Sequence, residues 1–260
     1  MINILQRILA VAGLSVTELF RRRDVIVAFL LAAVILVPLA AFNLFDVKGV
    51  VRYLRELALL LVWLFSVVIT ITTAARQVPA EIEARTIYPL LAKPLRRGEF
   101  LVGKFLGAAA AAMASTLLFY VCYALLVGIK EGAWPNPVFL QAVVLHLAAL
   151  GLLAAVVILG SVLLTPSANI TVAALLTAGM LLFGQRLADV AGAGSAVLGG
   201  IVLVAHLFLP HFEFFDLRLR VVHSWPAVDT ATFLAVLLYA ALYTGAALAL
   251  AAWRLQKRSL

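Results

Sequence analysis

The chain has 260 residues, 65% of them hydrophobic and 12% charged, with a mean hydropathy of +1.14. That leaves too little polar material to cover a water-facing surface and excludes an ordinary soluble domain. The formal charge of +8 would suit nucleic acid in a soluble protein, but most basic residues here flank apolar runs, which is the pattern of membrane orientation.

The apolar runs are about 20 residues long, not the alternating segments of a barrel, so the expected fold is all-α: one polytopic membrane bundle over 1–260. Residues 1–24 open it. Ile4, Leu5, Ile8, Leu9, Ala12, Val16, Leu19 and Phe20 recur at helical spacing, with Gln6, Arg7, Thr17 and Glu18 opposite. The spacing predicts a helix in the membrane interface, with Arg21–Arg23 near lipid phosphates. The basic cluster comes late and many spans follow, so an uncleaved first helix is expected rather than a signal peptide.

Six spans are expected at 25–45, 57–75, 101–128, 139–164, 168–185 and 231–252. Gly107 and Ala108–Ala112 read as the small-residue face of a packed helix. Residues 196–209 form a seventh apolar run of 14, short for a crossing and suited to a re-entrant element within an outer region, 186–230. Charge sets the parity. With both termini cytoplasmic, the inner segments hold 13 of the 20 Lys and Arg residues and the outer ones hold 7. A seventh crossing would move the basic tail Arg254–Arg258 outside, against the positive-inside trend.

The charged segment 76–100 separates spans two and three. Pro79 suits a first helical turn, Glu81 and Glu83 favour the dipole there, and Pro89 stops the helix near Tyr88. The expected layout is a short cytoplasmic helix, a break, and a basic stretch through Arg96 and Arg97 at the lipid surface. Residues 98–104, GEFLVGK, match the start of a P-loop, but Phe105 stands where Ser or Thr must bind magnesium, and no buried strand precedes it. Lys104 reads instead as a lysine reaching toward headgroups.

The run from Glu83 to Lys104, ExRTIxxLLAxPLxRxxFLxGK, resembles that of ABC-type-2 exporter permeases, such as the permease subunits of nitrous-oxide-reductase maturation transporters. The resemblance implies a cytoplasmic coupling helix that docks on a separate ATP-binding subunit. Glu83, Arg85 and Thr86 would face that subunit, with Glu81 beside them. Leu90, Leu91 and Pro94 would shape the turn. Arg97, Gly103 and Lys104 would set the start of the third span. It also implies a second permease copy or a relative, and no cofactor in this chain, since ATP and Mg belong to the partner subunit.

His206, His211, Glu213 and His223 gather in the outer region. Histidine and carboxylate can bind transition metals, but the spacing is no standard site, and the bland reading is an interfacial loop anchored by Phe208, Phe212, Phe214, Phe215 and Trp225. His146 lies inside span four, where a neutral histidine bonded to a neighbouring helix is expected. Ser66, Thr70, Thr72, Thr73, Tyr239, Tyr243 and Thr244 read as helix–helix bonds. The single cysteine, Cys122, excludes an internal disulfide and CxxC chemistry. HExxH, GxSxG and paired intramembrane aspartates are absent from the sequence.

The expectation is therefore a multi-pass permease subunit of an ATP-driven exporter in the plasma (inner) membrane. It has no ATPase site of its own, contacts lipid, and leaves room for an extracytoplasmic partner. The alternatives are a non-transporting scaffold or assembly factor, and a membrane enzyme with a site near His206–His223.

Overall fold

The computed structural model describes residues 4–21, 48–83, 97–131, 136–193, 199–200, 206 and 208–257. In lipid, a spanning segment must satisfy its backbone polar groups internally, and these residues are helical almost throughout. The elements are α1 (Ile4–Arg21), α2 (Lys48–Glu83), α3 (Arg97–Glu131), α4 (Pro137–Leu163), α5 (Pro166–Ala193), a 3-10 turn (Phe212–Phe215), α6 (Arg218–Val222) and α7 (Thr230–Lys257). Among the described residues, five helices are long and apolar enough to cross a membrane: α2, α3, α4, α5 and α7. They coincide with expected spans two to six. The expected first span, 25–45, and most of the 196–209 run lie outside the described residues.

The bundle is built around α4, which packs against α2, α3, α5 and α7. Of its most apolar window, 67% is buried, against 11% for α7. A helix apolar on all sides belongs in the interior, and α4 is that helix. Asn136 caps it by accepting from the Phe139 N–H at 3.0 Å, with Pro137 in the first turn. It ends where the Leu164 N–H bonds the Gly160 carbonyl and Pro166 starts α5. Asn169 then locks the α4–α5 hairpin, donating from Nδ2 to the Val157 carbonyl at 2.9 Å. Its amide lies so close that a Cβ on Gly160 would sit 2.1 Å from Oδ1.

Helix α2 corrects the layout expected for residues 76–83; the stop expected near Tyr88 and Pro89 lies outside the described residues. Pro79 does not open a separate helix. It lies inside α2, which runs unbroken over 36 residues to Glu83. Pro79 has no N–H to give the Ala75 carbonyl, yet Ala75 and Val78 are fully buried and the tertiary packing holds the helix across the defect. At 1.5 Å per residue α2 is about 54 Å long, well beyond a hydrocarbon core of about 30 Å. Thr70 and Thr73 also depart from expectation. Their hydroxyls donate to carbonyls of their own helix, Ser66 and Ile69, as does Thr72 to Val68.

His146 behaves as the sequence suggested. It is fully buried in α4, bonded to Ser66 of α2 at 2.9 Å and Tyr120 of α3 at 2.8 Å, and stacked on Trp63 at 4.3 Å. Ser66 gives its only hydroxyl proton to the Trp63 carbonyl. Its oxygen must therefore accept from His146 Nε2–H, which leaves Nδ1 to accept from Tyr120. The neutral ring is satisfied on both sides and ties three helices together.

Helix α1 lies along the first half of α3. Gly103 and Gly107 make this close approach possible. A Cβ on Gly103 would stand 2.7 Å from Val11 Cβ, and one on Gly107 would stand 2.4 Å from Ser15 Cβ. This is a small-xxx-small contact, and Ala108, Ala109, Ala111 and Ala112 continue the buried small face of α3. Ile4, Leu5, Leu9 and Leu14 remain exposed on the other side of α1.

Candidate functional site

Residues 84–96 join α2 to α3 at one end of the bundle and lie outside the described residues. Arg85, Thr86, Leu90, Leu91 and Pro94 fall among them. The flanking residues are described, and their side chains are committed to neighbouring helices. Lys104 Nζ donates to Glu81 Oε1 at 2.5 Å, joining the second turn of α3 to the last described turn of α2. Lys104 is only 3% exposed. The expected reach toward headgroups is thus overturned. A lysine taken out of water needs a carboxylate, and Glu81 supplies one nearer than the lipid surface does. Helix α3 is already helical at Arg97, six residues before Gly103.

Two further ties lie at the same level. Arg97 Nη1 donates to the carbonyls of Leu255 and Gln256, at 2.9 and 3.2 Å, capping the C-terminal turn of α7. A guanidinium suits that position because the last carbonyls of a helix have no partner within it and carry its negative dipole end. Arg7 of α1 faces the buried Glu99 of α3 at 3.7 Å. Four helices therefore meet around the start of α3. Glu83 is exposed beside them. A cavity of about 320 Å³, lined by Val162, Leu163, Arg254 and Lys257, opens at this end between α4 and α7.

The opposite end holds the weak metal candidates. His206 and His211 pack edge to face with centroids 4.4 Å apart, and His211 Nδ1 lies 2.9 Å from Glu213 Oε1. His223 stands apart, with Nδ1 on the Leu219 carbonyl and its ring beside Trp225. Among the described residues, no three or more His, Cys, Asp or Glu side chains are grouped to hold a metal ion. The aromatic anchors divide. Phe208, Phe214 and Trp225 are exposed, but Phe212 and Phe215 are buried in the core. In a 3-10 turn, residues three apart share one face, and here that face packs on α4 and α5. Tyr239 accepts from the His211 backbone N–H and Tyr243 donates to the Phe208 carbonyl, so both tyrosines of α7 hold residues 208–211 rather than another long helix. Gln141 of α4 pairs through both amide groups with the backbone of Val228, at 3.0 and 2.9 Å.

Sequence reading missed the Glu81–Lys104 and Arg97–α7 ties. The readable signal was spacing: Gly103 and Gly107 sit four apart, with Lys104 and Glu99 on the same stretch of α3. The bundle thus gathers three charged contacts at the ends of a connection whose sequence is charged, between its second and third expected spans, and residues 7–260 match the family of ABC-2 family transporter proteins. The chain belongs to the ABC-2 transporter family. It is the membrane permease component of an ABC-2 type transporter, a multi-pass membrane protein of a family that lacks an ATPase domain and generally pairs with ATP-binding subunits. No curated protein matches this chain in sequence.

Proposed function

We propose that this ABC-2 permease is an exporter subunit driven by a separate ATP-binding subunit that docks on segment 76–100. The observation that carries the reading is the family match over residues 7–260, joined to a charged connection whose flanks are tied into the bundle. In this reading Glu83, Arg85 and Thr86 contact the ATP-binding subunit, and Leu90, Leu91 and Pro94 shape the contact. Glu81, Arg97, Gly103 and Lys104 hold its base. ATP and Mg act on the partner, and the chain hydrolyses nothing.

The resemblance of residues 83–104 to nitrous-oxide-reductase maturation permeases supports this assignment within the family. The excess of Lys and Arg on the 84–96 side, 13 of 20, supports cytoplasmic termini. A second copy of the chain, or a related permease, completes the pathway. ATP-driven closure of the docked subunits pushes on the segment and rocks the helices between two states, which requires contacts that differ between those states.

The test is co-expression with candidate ABC-type ATP-binding proteins from the same cell. The ATPase is expected to copurify with the wild-type permease and to be lost on replacing Glu83 and Arg85 with alanine. An ATPase that stays bound and fully active on the double variant sinks the docking assignment.

A further inference from the structure

We propose that Glu81 and Lys104 are positioning residues, whose ion pair fixes the two ends of segment 84–96 to each other so that a push on the segment moves α2 and α3 as one body. The inference rests on the docking reading above.

The pair closes the base of the segment. Glu81 lies two residues before the last described residue of α2, and Lys104 lies in the second turn of α3. At 2.5 Å, with the lysine side chain 4% exposed and the glutamate 17%, it is a largely desolvated contact. Such a pair is a poor device for stability alone, because well-packed apolar side chains of similar size do as well. What it does supply is one allowed register between the two helices.

The need for that register comes from Pro79. The proline removes the backbone bond to the Ala75 carbonyl, so the turn of α2 that carries Glu81 is held less firmly by its own helix. Buried Ala75 and Val78 hold α2 up to the proline, and the tie at Glu81 holds the turn beyond it against force arriving at the segment. Helix α3 can supply the tie because it is itself braced. Arg7 faces Glu99, Val11 and Ser15 seat on Gly103 and Gly107, and Arg97 caps α7. Movement delivered to α3 therefore reaches α1 and α7 as well as α2.

The experiment uses the complex with the ATP-binding protein that copurifies in the test above and reads two quantities: copurification of the ATPase, and its ATP hydrolysis in the complex relative to the free subunit. Glu81→Lys and Lys104→Glu alone are each expected to keep the ATPase bound but to reduce the permease-dependent change in hydrolysis by about tenfold. The double charge swap is expected to restore it to within about twofold. Glu81→Cys with Lys104→Cys, in a Cys122→Ser background and joined by a short bifunctional thiol reagent, is expected to retain coupling, because the tie is permanent in the proposed cycle.

Single reversals that hydrolyse ATP like the wild type overturn the inference. So does a double swap that folds and binds but stays uncoupled, or a cross-linked complex that is inactive. Loss of copurification in the wild type is a different result and overturns the docking reading itself.

Discussion

At the end that carries segment 84–96, the helices are joined by charges: Glu81 to Lys104, Arg7 to Glu99, and Arg97 to the carbonyls ending α7. At the opposite end, they are joined mostly by rings and neutral hydrogen bonds. Tyr123 stacks on Phe139 at 5.9 Å, the 3-10 turn buries Phe212 and Phe215, and Gln141 holds Val228. The difference is physical as well as compositional. A desolvated ion pair is directional and severe when one member is lost, because the survivor stays buried without a counter-charge. Ring packing loses less per contact and tolerates small shifts. One end is therefore specified contact by contact, while the other is filled.

Lys104→Met attacks the charged end hardest. It takes from Glu81 its desolvated lysine partner, and the expected loss is about 3 kcal/mol of stability, read from thermal unfolding of the purified chain in detergent. Adding Glu81→Leu is expected to recover most of it. If the single variant is as stable as the wild type, Glu81 has another partner of equal strength. Gly107→Val comes next, at about 2 kcal/mol, because its branched side chain must occupy the place of Ser15. The same variant is expected to speed amide exchange in α1 far more than in α4. A uniform change would mean that α1 is not held by this contact. His146→Leu, at the middle of the bundle, is expected to cost about 1–2 kcal/mol. Tyr120 loses its acceptor, while Ser66 keeps its bond to Trp63. Tyr120→Phe added to His146→Leu should then be nearly silent in the same unfolding measurement.

Periodicity and length sufficed for the expected spans that fall within the described helices, because a spanning helix is dictated by the solvent and needs no knowledge of its neighbours. The His146 reading succeeded for a related reason. A neutral histidine in an apolar span without carboxylates has only hydroxyls and carbonyls to find. Pro79 failed because local rules place proline at a helix start, whereas buried Ala75 and Val78 carry α2 across it. Lys104 failed because its partner is 23 residues away, across the segment, and no local pattern links the two. Phe212 and Phe215 were misread as anchors because a 3-10 turn three to four residues long has no periodic signal in the sequence. Residues 85–94, where docking is proposed, were legible as a charged, proline-broken run with a family resemblance, and they lie outside the described residues.

The mildest substitution probes the filled end. Gln141 sits in α4, near its start, and its side-chain amide both donates to the Val228 carbonyl and accepts from the Val228 N–H. It therefore copies the backbone pairing of a strand and holds the chain just before Asp229 and α7. Replacing it with leucine keeps the volume and removes both bonds. Water can reach this half-buried site and satisfy Val228 in part, so the expected cost is only about 1 kcal/mol. The change should appear as faster amide exchange at Val228 and little change in the global unfolding midpoint. A loss as large as that of Lys104→Met would erase the contrast between the ends, because it would make this neutral contact as demanding as the buried charge.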